Sequence, residues 1–122
     1  MKVDFFIVGA PKAGTTSLYY YLSEHPEIEM SSKKETNFFS NHSIQKQSLY
    51  YNSESIDTVD LYHSLFKDNY RVKYGEASVS YLYYNDVPQK IKEYNSEGKI
   101  IIMLRDLADR AFSHYQMDFR LG

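Results

Sequence analysis

A short apolar run, residues 3–8, passes directly into Gly9-Ala10-Pro11-Lys12-Ala13-Gly14-Thr15-Thr16-Ser17, after which Leu18, Tyr21 and Leu22 recur at helical spacing. No other feature restricts the fold of this chain as much. A β-prone run, a glycine-rich turn and an amphipathic helix, in that order, form a strand-loop-helix unit that opens a parallel α/β sheet. In such a loop successive backbone N–H groups face inward and the helix N-terminus adds partial positive charge, which suits an anion. The helix is expected to stop ahead of His25-Pro26, because proline disfavours helical geometry in the residue before it.

The rest of the chain continues the alternation. Residues 31–52 are polar and read as a loop, too long for a simple connection and therefore a functional excursion. Residues 60–66 are expected to form a short helix packing Leu61 and Leu65, and residues 72–77 a second strand. Asp86 suits a helix N-cap, Pro88 the first turn, Ile91 and Tyr94 one helical face, and Gly98 the end of that helix. Residues 99–104 hold Ile100-Ile101-Ile102-Met103-Leu104, the pattern of a strand buried on both faces of a parallel sheet. A last helix places Ala108, Ala111, Phe112 and Tyr115 on one face. The expected fold class is α/β: a P-loop-like parallel sheet flanked by helices, in one domain spanning residues 1–122, with ligands at the carboxyl ends of the strands. Three strands leave the sheet edges uncovered, and the chain stops at Arg120-Leu121-Gly122, so the domain is expected to be incomplete.

Composition narrows the partners. At 43% apolar and 25% charged residues the chain is globular. A net charge of −2 gives no general attraction to nucleic acid or an anionic membrane. No segment is apolar over the roughly 18 residues a membrane span needs. The absence of cysteine rules out disulfides and thiolate chemistry within the chain and fits a reducing compartment, so a cytoplasmic location is expected. His25, His42, His63 and His114 have no second ligand at metal-binding spacing, and no metal is expected. The Tyr19-Tyr20-Tyr21 and Tyr81-Leu82-Tyr83-Tyr84 clusters either face a groove or pack on half-buried surfaces.

The loop has the two glycines and the threonine of a nucleotide P-loop, but Thr15 stands where that motif has lysine, and the lysine lies inside the loop at Lys12. A triphosphate site handles several charges and usually Mg²⁺. A sulfuryl group carries less charge, and one lysine with the hydroxyls of Thr15, Thr16 and Ser17 is enough for it.

Pro11-Lys12-Ala13-Gly14-Thr15-Thr16-Ser17 resembles the 5′-phosphosulfate loop of sulfotransferases that use 3′-phosphoadenosine 5′-phosphosulfate (PAPS). The resemblance continues through His25-Pro26, Lys34-Glu35 with Phe38-Phe39, Gly75-Glu76-Ala77-Ser78 with Tyr81-Leu82, and Leu104-Arg105 with Arg110, Ala111, Ser113, His114 and Tyr115. It is strongest to the bacterial and heparan-sulfate-type carbohydrate enzymes and covers essentially the whole chain as the N-terminal part of the family's domain. It implies a transferase that moves a sulfuryl group from PAPS to a hydroxyl or amine, on a carbohydrate for preference, without metal. It implies that Lys12 and Glu35 are catalytic, with Glu35 as general base. Residues 11–17, meaning Pro11, Lys12, Ala13, Gly14, Thr15, Thr16 and Ser17, would hold the 5′ end of PAPS or of the product 3′-phosphoadenosine 5′-phosphate (PAP), and Arg105 and Ser113 the 3′-phosphate. Arg110 suits a helix-surface ion pair better than the donor. Asp106-Leu107 departs from the Asn-Pro that commonly follows the strand-end arginine, and family members are considerably longer. Two other readings stay open: a truncated, weakly active or inactive PAP(S)-binding module, and an atypical P-loop nucleotide kinase.

Overall fold

The structure is a computed structural model that describes residues 1–47, 56–67 and 72–105. Its strands β1 (Phe5–Gly9), β2 (Ile28–Met30), β3 (Lys73–Ala77) and β4 (Lys99–Ile102) are all parallel and lie in the order β2-β3-β1-β4. The helices are α1 (Thr15–Ser23), α2 (Asn41–Gln47), α3 (Val59–His63) and α4 (Val87–Tyr94), with a 3₁₀ turn at Val79–Leu82.

Alternation along β1 sorts the core into two layers. Ile7 points to the face where Tyr19 of α1, Met30 and Ala77 pack. Phe6 and Val8 point the other way, into a cluster with Val87 and Ile91 of α4, Tyr62, Tyr81 and Phe39. Parallel strands require crossovers, and here α1 follows β1 on one face while α4 follows the neighbouring β3 on the other. Adjacent strands whose connections leave on opposite faces create a crevice at their carboxyl ends, the usual ligand position in open α/β sheets.

The larger layer is aromatic. Tyr62 is fully buried, stacked on Phe38 with ring centroids 4.3 Å apart and edge-on to Phe39 at 5.6 Å. Phe39 also meets Phe6 edge-on at 5.7 Å. The tyrosine clusters divide: Tyr19 and Tyr81 are buried, whereas Tyr20, Tyr21 and Tyr83 are exposed.

Several expectations need correction. The sheet has a further strand, β2, whose three residues are too few to show a period. The stretch 31–52 is not all loop: α2 lies within it, carrying Ile44 as its one large aliphatic residue. α3 starts earlier than expected, because the Thr58 side chain caps it by accepting the Leu61 N–H at 3.1 Å. Leu61 is 49% exposed, and Tyr62 takes the buried position. Asp86 occupies the N-cap of α4 but makes no side-chain cap bond, since its carboxylate pairs with Lys90 at 2.9 Å. That helix ends at Asn95 rather than Gly98. β4 is not buried on both faces, for Ile100 and Ile102 are each about half exposed. The expected last helix lies outside the described residues.

Candidate functional site

The crevice is built first by the loop after β1. The β1–β4 register shifts between Ile7 and Gly9, and the Ala10 N–H then donates to the Met103 carbonyl while the Met103 N–H donates to that of Gly9, each at 2.8 Å. Bulges of this kind re-aim a strand end beside a site. Within the loop the Ala13 N–H closes a turn on the Ala10 carbonyl at 3.2 Å. Gly14 is the N-cap of α1 at φ 92°, left-handed backbone that glycine adopts without steric cost. Having no side chain, it leaves the first N–H groups of α1 without a side-chain cap. Ala10, Ala13 and Thr15 are buried, whereas Pro11, Thr16 and Ser17 are exposed. The loop thus presents Lys12, two hydroxyls and a helix N-terminus, and Thr15 faces inward.

The second wall comes from β3. Ile7 pairs with Ala77, and the Ser78 N–H donates to the Ile7 carbonyl at 3.0 Å, so the two strand ends lie side by side. The Glu35 N–H donates to the Ala77 carbonyl at 2.8 Å, bringing the polar excursion onto that end. The Glu35 carboxylate accepts the Val79 N–H at 2.8 Å through one oxygen and faces Lys34 Nζ at 3.4 Å through the other. At about a quarter exposed, this is not a freely solvated charge run. The third contribution is Arg105, beyond β4, whose guanidinium donates to the Lys12 carbonyl at 3.2 Å. Ser113 and Arg110 lie outside the described residues.

Among the described residues, left-handed backbone outside glycine occurs at Lys12 (φ 63°), Glu35 (φ 60°) and Asn37 (φ 54°). Such conformations cost on the order of 1–3 kcal/mol each and collect where a structure holds functional groups. Lys12 lies in the loop after β1, Glu35 and Asn37 bond to the end of β3, and two of the three are the residues singled out for catalysis.

One central residue was quoted from the sequence without a role. Glu76, in β3, is fully buried. Its carboxylate accepts hydroxyls from Thr36 at 2.8 Å, Ser78 at 2.7 Å and Tyr81 at 3.0 Å, and also that of Tyr62. Burial raises its pKa above the ordinary value, and the four hydroxyls oppose that rise. The signal available in the sequence was a lone carboxylate inside an apolar strand, a placement that requires partners.

Elsewhere, a groove of about 400 Å³ between α4 and β4 is lined by Val8, Leu82, Val87, Ile91, Ile100 and Ile102 among others, and by none of Lys12, Glu35 or Arg105. Among the described residues no group of three or more His, Asp or Glu is placed to hold a metal ion, and no helix is long and apolar enough to cross a membrane.

The fold is that of a phosphate-loop type of α/β protein, with a glycine-capped turn after β1 and a carboxylate held at the end of the neighbouring parallel strand. Within that class the chain belongs to the sulfotransferase family, whose "Sulfotransferase domain" profile matches residues 2–122. It superimposes on the sulfotransferase from Alicyclobacillus acidocaldarius with a TM-score of 0.80 and 39% identity, over 98% of this chain and 51% of that one. It is 30% identical to the membrane-associated sulfotransferase kil1 of Dictyostelium discoideum, over 96% of this chain and 23% of that protein. It is also 30% identical to the human bifunctional heparan sulfate N-deacetylase/N-sulfotransferase 3, over 92% of this chain and 12% of that protein. The chain therefore spans about half of the solved relative and a quarter or less of the two curated ones.

Proposed function

We propose that this chain forms the donor-binding and catalytic core of an enzyme that transfers a sulfuryl group from PAPS to an acceptor hydroxyl or amine, on a carbohydrate for preference. The observation that supports the reading is that Lys12, in the loop after β1, and Glu35, bonded to the end of the adjacent parallel strand β3, both adopt left-handed backbone. The named heparan sulfate relative favours a carbohydrate acceptor.

The chemistry follows from what each residue can do. The acceptor oxygen or nitrogen forms a bond to sulfur as the bond from sulfur to the 5′-phosphate oxygen breaks. Glu35 takes the proton that the acceptor loses, which a carboxylate within hydrogen-bond reach can do. Lys12, the loop N–H groups and the N-terminus of α1 stabilise the charge that builds on the departing phosphate, an effect exerted mainly in the transition state. Arg105, already bonded to the Lys12 carbonyl, is near enough to the loop to serve the donor's 3′-phosphate with a fork of N–H donors. None of these roles calls on a metal. A cytoplasmic site of action is part of the same proposal and rests on the cysteine-free sequence; cell fractionation tests it.

The direct test is transfer of radiolabelled sulfate from PAPS to a panel of glucosamine-containing oligosaccharides with free hydroxyls or amines. Glu35→Gln is expected to lower kcat by about 10²- to 10⁴-fold, the usual range for a lost general base. Undiminished turnover in that variant would remove Glu35 as the base.

A further inference from the structure

The hydroxyls around Glu76 have a second set of partners. Ser78 Oγ, which donates to Glu76, accepts the Asn37 N–H at 3.1 Å. Thr36 Oγ1, donating to the same carboxylate oxygen, accepts the Phe38 N–H at 3.3 Å. The Tyr81 hydroxyl donates to the other oxygen and accepts the Phe39 N–H at 3.3 Å. One buried carboxylate thus orients three hydroxyls, and these hold three consecutive backbone N–H groups, those of residues 37–39, starting two positions after Glu35. A hydroxyl has one proton, and donating it to Glu76 leaves only lone pairs for the chain segment above.

We propose that Glu76 is a positioning residue for sulfuryl transfer: through Ser78, Thr36 and Tyr81 it fixes the turn Glu35-Thr36-Asn37 and so the direction in which the Glu35 carboxylate faces. The inference rests on Glu35 being the base. Packing alone does not account for Glu76. A buried ionisable group is costly to desolvate, and an apolar side chain of similar volume commonly serves stability as well or better. What an apolar side chain could not do is orient the three hydroxyls as acceptors. The 3₁₀ turn adds a second link, since Val79, which donates to the Glu35 carboxylate, directly follows Ser78.

Glutamine keeps the shape of Glu76 but puts an NH₂ donor in place of one acceptor oxygen, so one side of the relay loses its orientation. In Glu76→Gln, amide exchange read by NMR should rise about tenfold at Asn37 and Phe38 where the NH₂ takes the Oε1 position, or at Phe39 where it takes the Oε2 position, the equivalent of one hydrogen bond of about 1.4 kcal/mol. Exchange at Tyr19 and Leu22 in α1, on the other face of the sheet, should stay unchanged, and PAP affinity should stay within about twofold. In the transfer assay kcat should fall by about tenfold or more with little change in the KM for PAPS, and Glu76→Gln should slow Glu35→Gln no further. Should Glu76→Gln fail to fold, Thr36→Val and Ser78→Ala break the relay from its other end and are read in the same way.

Wild-type protection at residues 37–39 in these variants would overturn the proposal. So would a loss of rate that multiplies with that of Glu35→Gln, since Glu76 would then act independently of the base. If Glu35→Gln itself turns over normally, the base assignment fails, while the exchange data still report whether Glu76 holds the turn.

Discussion

Three side chains at the carboxyl end of the sheet are held in left-handed backbone, and a fourth, Glu76, is held out of water. Both conditions oppose stability locally, and each has a measurable consequence. Glu76 has a raised pKa in the folded protein because of burial, so folding favours its protonated form. Its contribution is fully present below the unfolded value, near 4.5, and declines as pH rises through the folded value. The difference in unfolding free energy between wild type and Glu76→Gln should therefore shrink as pH rises above about 4.5. A difference that stays flat or grows across that window would contradict the assigned shift. Gly14 makes a cleaner case. A Cβ there would meet nothing nearer than Met103 Cε at 3.7 Å, so Gly14→Ala should cost only the left-handed backbone, about 1–2 kcal/mol by denaturant unfolding. A neutral or stabilising alanine would mean that the loop relaxes out of that conformation.

The elements differ in how plainly their residues announce them. β1, its loop and α1 were legible because a β-prone run, two glycines and a helical period follow one another without interruption. β2 was not, since Ile28-Glu29-Met30 is set by pairing with Lys73, Tyr74 and Gly75 rather than by its own pattern. α2 was hidden because a seven-residue helix with Ile44 as its one large aliphatic residue shows no apolar period. In β4 the continuous apolar run suggested burial on both faces, but Ile100 and Ile102 border a groove instead. The β1–β3 pair illustrates how tightly the central elements fit. The outer edge of the Phe5 ring lies against Gly75, and a Cβ there would fall 2.0 Å from Phe5 Cζ. Gly75→Ala must expel that ring from its layer, and should destabilise by about 1–3 kcal/mol although alanine is the better strand residue. An unchanged thermal midpoint would show that Phe5 has another place to pack.

At the scale of the molecule, strand and helix alternation was enough to predict a parallel α/β sheet, but not the order β2-β3-β1-β4. That order places β1 beside β3 with their connections on opposite faces, so the loop carrying Lys12 follows one strand and Glu35 bonds to the end of its neighbour. Arg105 reaches the same loop from the far side of β1. The central claim is that this crevice holds the sulfuryl donor. Calorimetric titration of the protein with PAP, beside Lys12→Ala and Arg105→Ala and with ADP as control, tests it most directly. The account predicts saturable PAP binding, weakened about 10- to 100-fold by each substitution as expected for a lost charge-assisted hydrogen bond, and little affinity for ADP. Folded protein that fails to bind PAP, or binds it equally well without Lys12, would contradict the account.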